Sequence, residues 1–258
     1  MRAVRLLRDA ISKNPQKVLD VGVHTGKHAQ AFISGGAEVT GLDVTLAPFE
    51  HPKYSHVCRP FEYAITENLL EKESFDMVWC SHTIEHIPNV QSFLVGLHYF
   101  LKDDGWLYIA APTNRQNRLH IGHLTLWTPA HLVYNLICAG WDCKDAKWYT
   151  EYCTIGLCVQ RKPEIDLSWR TSLPSEIIAL NDYAPKFMGH NDGAWWGNNW
   201  HEETIPRVPD PPLVTVGEER TNLPPEMLLA LGPNPALRKP PGMEYDSNSH
   251  STGHSERP

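Results

Sequence analysis

Between Val18 and about Lys162 the sequence alternates short β-rich runs with helical patterns, and this alternation restricts the fold more than any other feature. Lys17 to Val21 (KVLDV) reads as a strand, and Gly26 to Ile33 as a helix stopped by Gly35 and Gly36. Glu38 to Asp43 and Tyr54 to Cys58 follow as strands, with a helical stretch from Phe61 to Leu70. Phe75 to Cys80 is an apolar strand, and Val90 to Leu101 places Phe93, Leu94, Leu97 and Leu101 on one helical face. Asp103, Asp104 and Gly105 turn the chain into a strand from Trp106 to Ala111, which stops at Pro112. Thr128 and Pro129 open a helix that runs to Cys138. Cys143 to Thr150 and Thr154 to Arg161 close the pattern as an antiparallel pair. The expectation is an α/β fold, a doubly wound and mostly parallel sheet of seven strands ending in an antiparallel hairpin.

Residues 1–162 would form that domain, 163–205 an accessory segment on or over the active site, and 206–258 a Pro-rich, largely disordered tail. Within the accessory segment, Ser175 to Leu180 reads as a short helix. Trp195, Trp196 and Trp200 could offer an aromatic wall to an acceptor, although packing of the segment onto the core is the favoured reading. No apolar run approaches a membrane span, and Met1 to Ile11 lacks the apolar core and cleavage site of a secretory signal, so a cytoplasmic location is expected. Arg2, Arg5 and Arg8 form a helical stripe opposite Val4, Leu7 and Ile11, read as a solvated face. The six cysteines contain no CxxC pair and read as reduced, buried thiols. A formal charge of −7 argues against nucleic acid as the partner.

The run Val18-Leu19-Asp20-Val21-Gly22-Val23-His24-Thr25-Gly26 ends a strand, turns and opens a helix. Open α/β sheets bind ligands at that place. Gly22 and Gly26 allow a tight turn, and the helix N-terminus offers amides to a carboxylate. Asp20 offers an acceptor to an ammonium group. Asp43 ends the second strand, where an acid can take both ribose hydroxyls. An adenosine ligand with an amino acid end satisfies all of these. NAD ranks well below, because its GxGxxG signature is absent.

With these residues the chain resembles the class I S-adenosylmethionine-dependent methyltransferases, in the subgroup carrying an SHxxEH motif after the fourth strand. VLDVGVHTG, VTGLD, FDMVWCSHTIEHI and LKDDGWLYIAAP stand where the family reads LxDxGxGxG, VxGxD, FDxVxxxxxxEHxxN and LkpGGxlxixxP, over about residues 15–162. The resemblance implies a Rossmann-like fold with S-adenosyl-L-methionine as cofactor. It further implies that Asp20, Gly22 and Gly26 line the methionine end, that Asp43 holds the ribose, that Glu62 or its neighbours border the adenine, and that Ser81 and His82 sit near the methyl-bearing sulfur.

His24 departs from the family by replacing its middle glycine. It could crowd the cofactor, hydrogen-bond near its carboxylate, or stand as a tolerated surface substitution. His82 and His86 are candidate bases, along with His120 and His123. Helical spacing would put His82, Glu85 and His86 on one face, and with His123 they could hold a divalent metal, although a metal-free turn is the favoured reading. The leading expectation is methyl transfer to a small molecule or sugar. A metal-assisted methyltransferase acting on RNA or protein, and an inactive binding protein blocked by His24, are the alternatives. Oligomeric state is left open.

Overall fold

The computed structural model describes residues 3–113, 120–151, 153–163, 165 and 181–185, together with short strand pairs at 190–191 with 194–195 and 215–216 with 219–220. Helix α1 (Val4–Ser12) leads into strand β1 (Lys17–Val21), then α2 (Lys27–Ser34), β2 (Glu38–Asp43), β3 (Tyr54–Cys58) and α3 (Phe61–Thr66). Next come β4 (Phe75–Ser81), a 3-10 turn at Ile84–His86, α4 (Val90–Phe100), β5 (Leu101–Pro112), α5 (Pro129–Cys138), β6 (Lys147–Glu151) and β7 (Thr154–Gln160). The sheet has seven strands in the order β3-β2-β1-β4-β5-β7-β6. The first five in that order are parallel, and β7 runs antiparallel to both β5 and β6.

Side-chain alternation explains how this sheet buries both faces. Along β1, Val18 packs on one side with Phe32 of α2 and Leu6 and Leu7 of α1, while Leu19 and Val21 pack on the other with Phe93, Leu94 and Leu97 of α4. In β4, Met77 and Trp79 join the first layer, and Val78 and Cys80 the second. Strand order reverses at the β1/β4 junction, so their carboxyl ends diverge from their outer connections and leave a crevice. The fold fixes the site there.

Several boundaries differ from the sequence expectation, each for a local reason. β5 begins at Leu101 rather than Trp106, because Leu101 already pairs with Phe75 before the register shifts to Met77 opposite Trp106. Lys102 to Gly105 are looped out of the ladder between those pairs. A Cβ at Gly105 would come within 2.9 Å of both Leu101 Cδ2 and the Lys102 carbonyl, so the bulge requires glycine. Helix α3 stops at Thr66 instead of reaching Leu70, and Asn68 takes a φ of 50° just beyond it. On α1 the buried residues are Leu6, Leu7 and Ala10, with Val4 and Ile11 only half-buried at the edge and Arg5 exposed. Cysteine burial is also mixed: Cys80, Cys143 and Cys158 are buried, Cys58 and Cys138 intermediate, and Cys153 exposed. Among the described residues no helix is long and apolar enough to cross a membrane. The expected helix at 175–180, Trp196, Trp200 and most of the Pro-rich tail lie outside the described residues.

Candidate functional site

A cleft of about 550 Å³ opens at the carboxyl ends of β1, β2 and β4, where strand order reverses. Gly22, His24, Asp43, Ser81, His82 and His86 line it, as the sequence led one to expect. Its apolar wall comes from Val21, Leu42, Phe61 and Phe93. Arg59, Thr83 and Lys27 are lining residues that no sequence motif pointed to.

The turn from β1 to α2 is built on two left-handed glycines. Gly22 has φ 80° and Gly26 φ 73°, and an added Cβ would fall 1.9 Å from Thr83 Oγ1 at the first and 2.0 Å from Phe49 Cε1 at the second. Thr83 Oγ1 also donates to the Val21 carbonyl at 3.0 Å, so this side chain clamps the β1 turn from the end of β4. Helix α2 opens at the wall of the cleft with Lys27 and His28 in its lining, which places a partial positive charge there.

Asp43 ties two lining loops together. Its Oδ2 accepts from the His24 amide at 2.8 Å, and its Oδ1 accepts from the Thr45 amide at 3.0 Å and the Thr45 hydroxyl at 3.2 Å. Oδ2 keeps a lone pair for a further donor. The backbone of His24 itself has φ 46°, in the region that favours glycine, and its ring is exposed. It is therefore a strained position with room for its side chain outside the turn. His82 also takes a left-handed backbone, φ 58°, so two of the chain's non-glycine residues in that region line the same cleft.

Asp20 behaves differently from expectation. It does not line the cleft but lies behind it, 2% exposed, where its carboxyl accepts from the Ala29 amide in the third position of α2. It thereby caps a helix whose own N-cap residue, Gly26, has no side chain to do so. Its Oδ2 is buried without a hydrogen-bond partner in the described structure. Burial, reinforced by the charge of Asp43 and opposed by the Ala29 bond, pushes the Asp20 carboxyl up to about 8. The folded protein therefore holds this proton between about pH 4 and pH 8, where the unfolded chain releases it, and stability contributed here falls as pH rises through that window. The slope reaches at most about 1.4 kcal/mol per pH unit. Asp20→Asn, a permanently neutral isostere, is expected to flatten it. Urea unfolding near pH 5.5 and near pH 7.5 checks this, and equal slopes for both proteins would refute it.

After β4 the expected common face of His82, Glu85 and His86 does not form. The helical turn is confined to Ile84–His86, and the left-handed backbone of His82 sends its ring away, with Nε2 3.1 Å from Thr154 Oγ1 on β7 and Nδ1 3.2 Å from Ser81 Oγ. Glu85, His86 and His123 do meet, with one ligand atom from each within 4.8 Å of the others. Glu62 is exposed on α3 and is not part of the lining, whereas its neighbour Phe61 is, together with Arg59. Thr154 could not have been found by spacing, since it reaches His82 only through the antiparallel return of β7.

Residues 19–109 match a family model described as a methyltransferase domain. Among curated relatives, a ubiquinone biosynthesis O-methyltransferase of Histophilus somni is 33% identical over 105 residues, which are 37% of this chain and 44% of that protein. One from Pseudomonas syringae pv. tomato is 32% identical over 112 residues, 41% of this chain and 48% of that protein. The chain thus spans less than half the length of these relatives. Among solved structures, a SAM dependent methyltransferase from Archaeoglobus fulgidus aligns with TM-score 0.51 at 17% identity, covering 60% of this chain and 91% of that one. The 1,6-didemethyltoxoflavin-N1-methyltransferase of Burkholderia thailandensis, solved with 1,6-didemethyltoxoflavin and S-adenosylhomocysteine, aligns with TM-score 0.50 at 20% identity, covering 61% and 78%.

Proposed function

We propose that this chain, whose residues 19–109 match a methyltransferase domain, is an S-adenosylmethionine-dependent enzyme that transfers a methyl group to a small-molecule acceptor. The observation that carries this reading is the Asp43 carboxylate at the end of β2, facing an apolar cleft at the topological switch point. The residues suit the cofactor. Leu42, Phe61 and Phe93 offer an apolar slot to a flat base, Asp43 Oδ2 retains a lone pair for a ribose hydroxyl, and Lys27 with the N-terminus of α2 suits a carboxylate. Asp20 holds that helix start in place. Its buried, unpartnered Oδ2 suits an ammonium group or a water between them.

When bound, S-adenosylmethionine supplies a methyl group on a positively charged sulfur, already activated for displacement. What the protein adds is chiefly alignment, which can lower such a barrier by about 7–11 kcal/mol in favourable cases. His82 is fixed between the Ser81 and Thr154 hydroxyls and shapes the wall of the site rather than presenting a free basic nitrogen. His86 has its Nδ1 on the Gly122 carbonyl at 2.8 Å, so its Nε2 keeps a lone pair at the acceptor end. A small acceptor agrees with the net charge of −7 and with the printed names of the relatives, which are O-methyltransferases of ubiquinone biosynthesis.

Calorimetric titration with S-adenosylmethionine tests the reading: micromolar binding is expected, and absence of heat with both the cofactor and S-adenosylhomocysteine would overturn it. The same titration decides whether His24 obstructs the cleft. His24→Gly relieves a left-handed cost of about 1–2 kcal/mol and loosens the unfolded chain by about 0.4–1 kcal/mol, a net gain of about 0.5–1 kcal/mol. A melting temperature about 1–4 °C higher is expected, with cofactor affinity unchanged within about threefold. Binding present only in the glycine variant would instead identify His24 as a block.

A further inference from the structure

The turn after β4 and the loop before α5 build a cluster at the edge of the cleft. Glu85 is buried, His86 reaches the cleft, and His123 arrives from 36 residues beyond Ile87, with the three ligand atoms inside a 4.8 Å span. Backbone bonds stitch the two segments together. The amides of Leu124 and Thr125 both donate to the Glu85 carbonyl, at 2.7 and 3.3 Å. His86 Nδ1 donates to the Gly122 carbonyl at 2.8 Å. A carbonyl only accepts, so Nδ1 carries the proton and Nε2 keeps its lone pair. That nitrogen lies 3.9 Å from Glu85 Oε1, too far for a hydrogen bond but within reach of two bonds of about 2.0–2.2 Å to a single ion. The His86 and His123 rings stand 5.0 Å apart and nearly perpendicular, at 86°.

We propose that Glu85, His86 and His123 bind one divalent transition-metal ion, of the Zn²⁺ or Mn²⁺ kind, at the acceptor end of the cleft. Two imidazole nitrogens and one carboxylate oxygen suit such ions, whereas Mg²⁺ and Ca²⁺ favour oxygen alone. The Gly122 carbonyl does what an outer partner of a metal-bound histidine does, fixing the tautomer and aiming the ring. Three protein ligands leave coordination positions open, the pattern of a reacting site and not of a structural one. Because His86 also lines the cleft beside His82 and Ile87, the ion lies next to the acceptor. The acceptor class this selects is a hydroxyl compound, a phenol or an alcohol, whose oxygen coordinates the ion and gives up its proton to water more readily. The choice of acceptor rests on the methyltransferase reading, and the binding of the ion does not.

The test uses the full chain freed of metal by chelator and then titrated with Zn²⁺ and with Mn²⁺, without cofactor, beside a separate titration with S-adenosylmethionine. One ion per chain with micromolar or tighter affinity is expected. Glu85→Gln alters a buried group, so His123→Ala, at a half-exposed position outside the cleft lining, is tested in parallel. Each is expected to weaken the ion at least 30-fold, while His123→Ala binds S-adenosylmethionine as the parent does. No ion bound by the parent, or binding undiminished in His123→Ala, overturns the proposal. Loss of cofactor binding in the parent would instead overturn the methyltransferase reading.

Discussion

Asp43→Ala is expected to weaken S-adenosylmethionine at least 100-fold, about 3 kcal/mol, with the folded protein retained. The expectation comes from the number of things this carboxylate does at once. It fixes the β1–α2 turn through the His24 amide and the loop after β2 through the amide and hydroxyl of Thr45, and it faces the cleft with a lone pair to spare. A hydrogen bond to a charged group contributes about 1.5–3 kcal/mol, and the loss of alignment in two loops adds to it. The released amides lie at an exposed turn and can bond to water, so the fold is spared the penalty of buried, unsatisfied donors. Asp43→Asn keeps an acceptor but loses the charge and is expected to fall between alanine and the parent. Calorimetry with the three proteins decides it. Parent-like affinity in the alanine variant would place the cofactor elsewhere, while a collapsed melting transition would show that Asp43 serves the fold first.

Much of this site was legible because its parts are local. The strand, the two glycines and the opening of α2 fall within eleven residues, and Asp43 is fixed by the end of the next strand, so periodicity alone places them at one crevice. The misreadings arose where the third dimension decides. Spacing puts Asp20 in the motif but does not say that its side chain, on the α2 side of the strand, lies behind the cleft. There it caps a helix and keeps its proton. His82, Glu85 and His86 looked like one helical face, but a left-handed residue at the start breaks the phase that such spacing assumes. Family position does not choose between Glu62 and its neighbours, and α3 turns Glu62 to solvent and brings Phe61 inward. Thr83 and Thr154 carry no local signal at all. Each acts across strands, one on the backbone of β1 and the other on the His82 ring.

The clamp made by Thr83 leads to the largest expected effect on stability. Gly22→Ala must hold a side chain at φ 80° and place its Cβ 1.9 Å from Thr83 Oγ1, a separation no pair of real atoms sustains. Left-handed backbone costs alanine about 1–2 kcal/mol. Displacing Thr83 breaks its bond to the Val21 carbonyl, about another 1 kcal/mol. Together these give about 2–3 kcal/mol, or a melting temperature roughly 4–12 °C lower for a chain of this size. The two terms separate in a double-mutant cycle. Thr83→Ala alone loses the hydrogen bond and its packing. In the Gly22→Ala, Thr83→Ala protein the steric clash is gone, so the second substitution should cost less than it does in the parent, leaving the backbone term as the residue. Strictly additive losses would mean that Gly22 is required for its conformation alone and that Thr83 yields freely. Coupling of about 1 kcal/mol or more would show that the end of β4 holds the β1 turn in its working shape, the physical link between the two strands that flank the cleft.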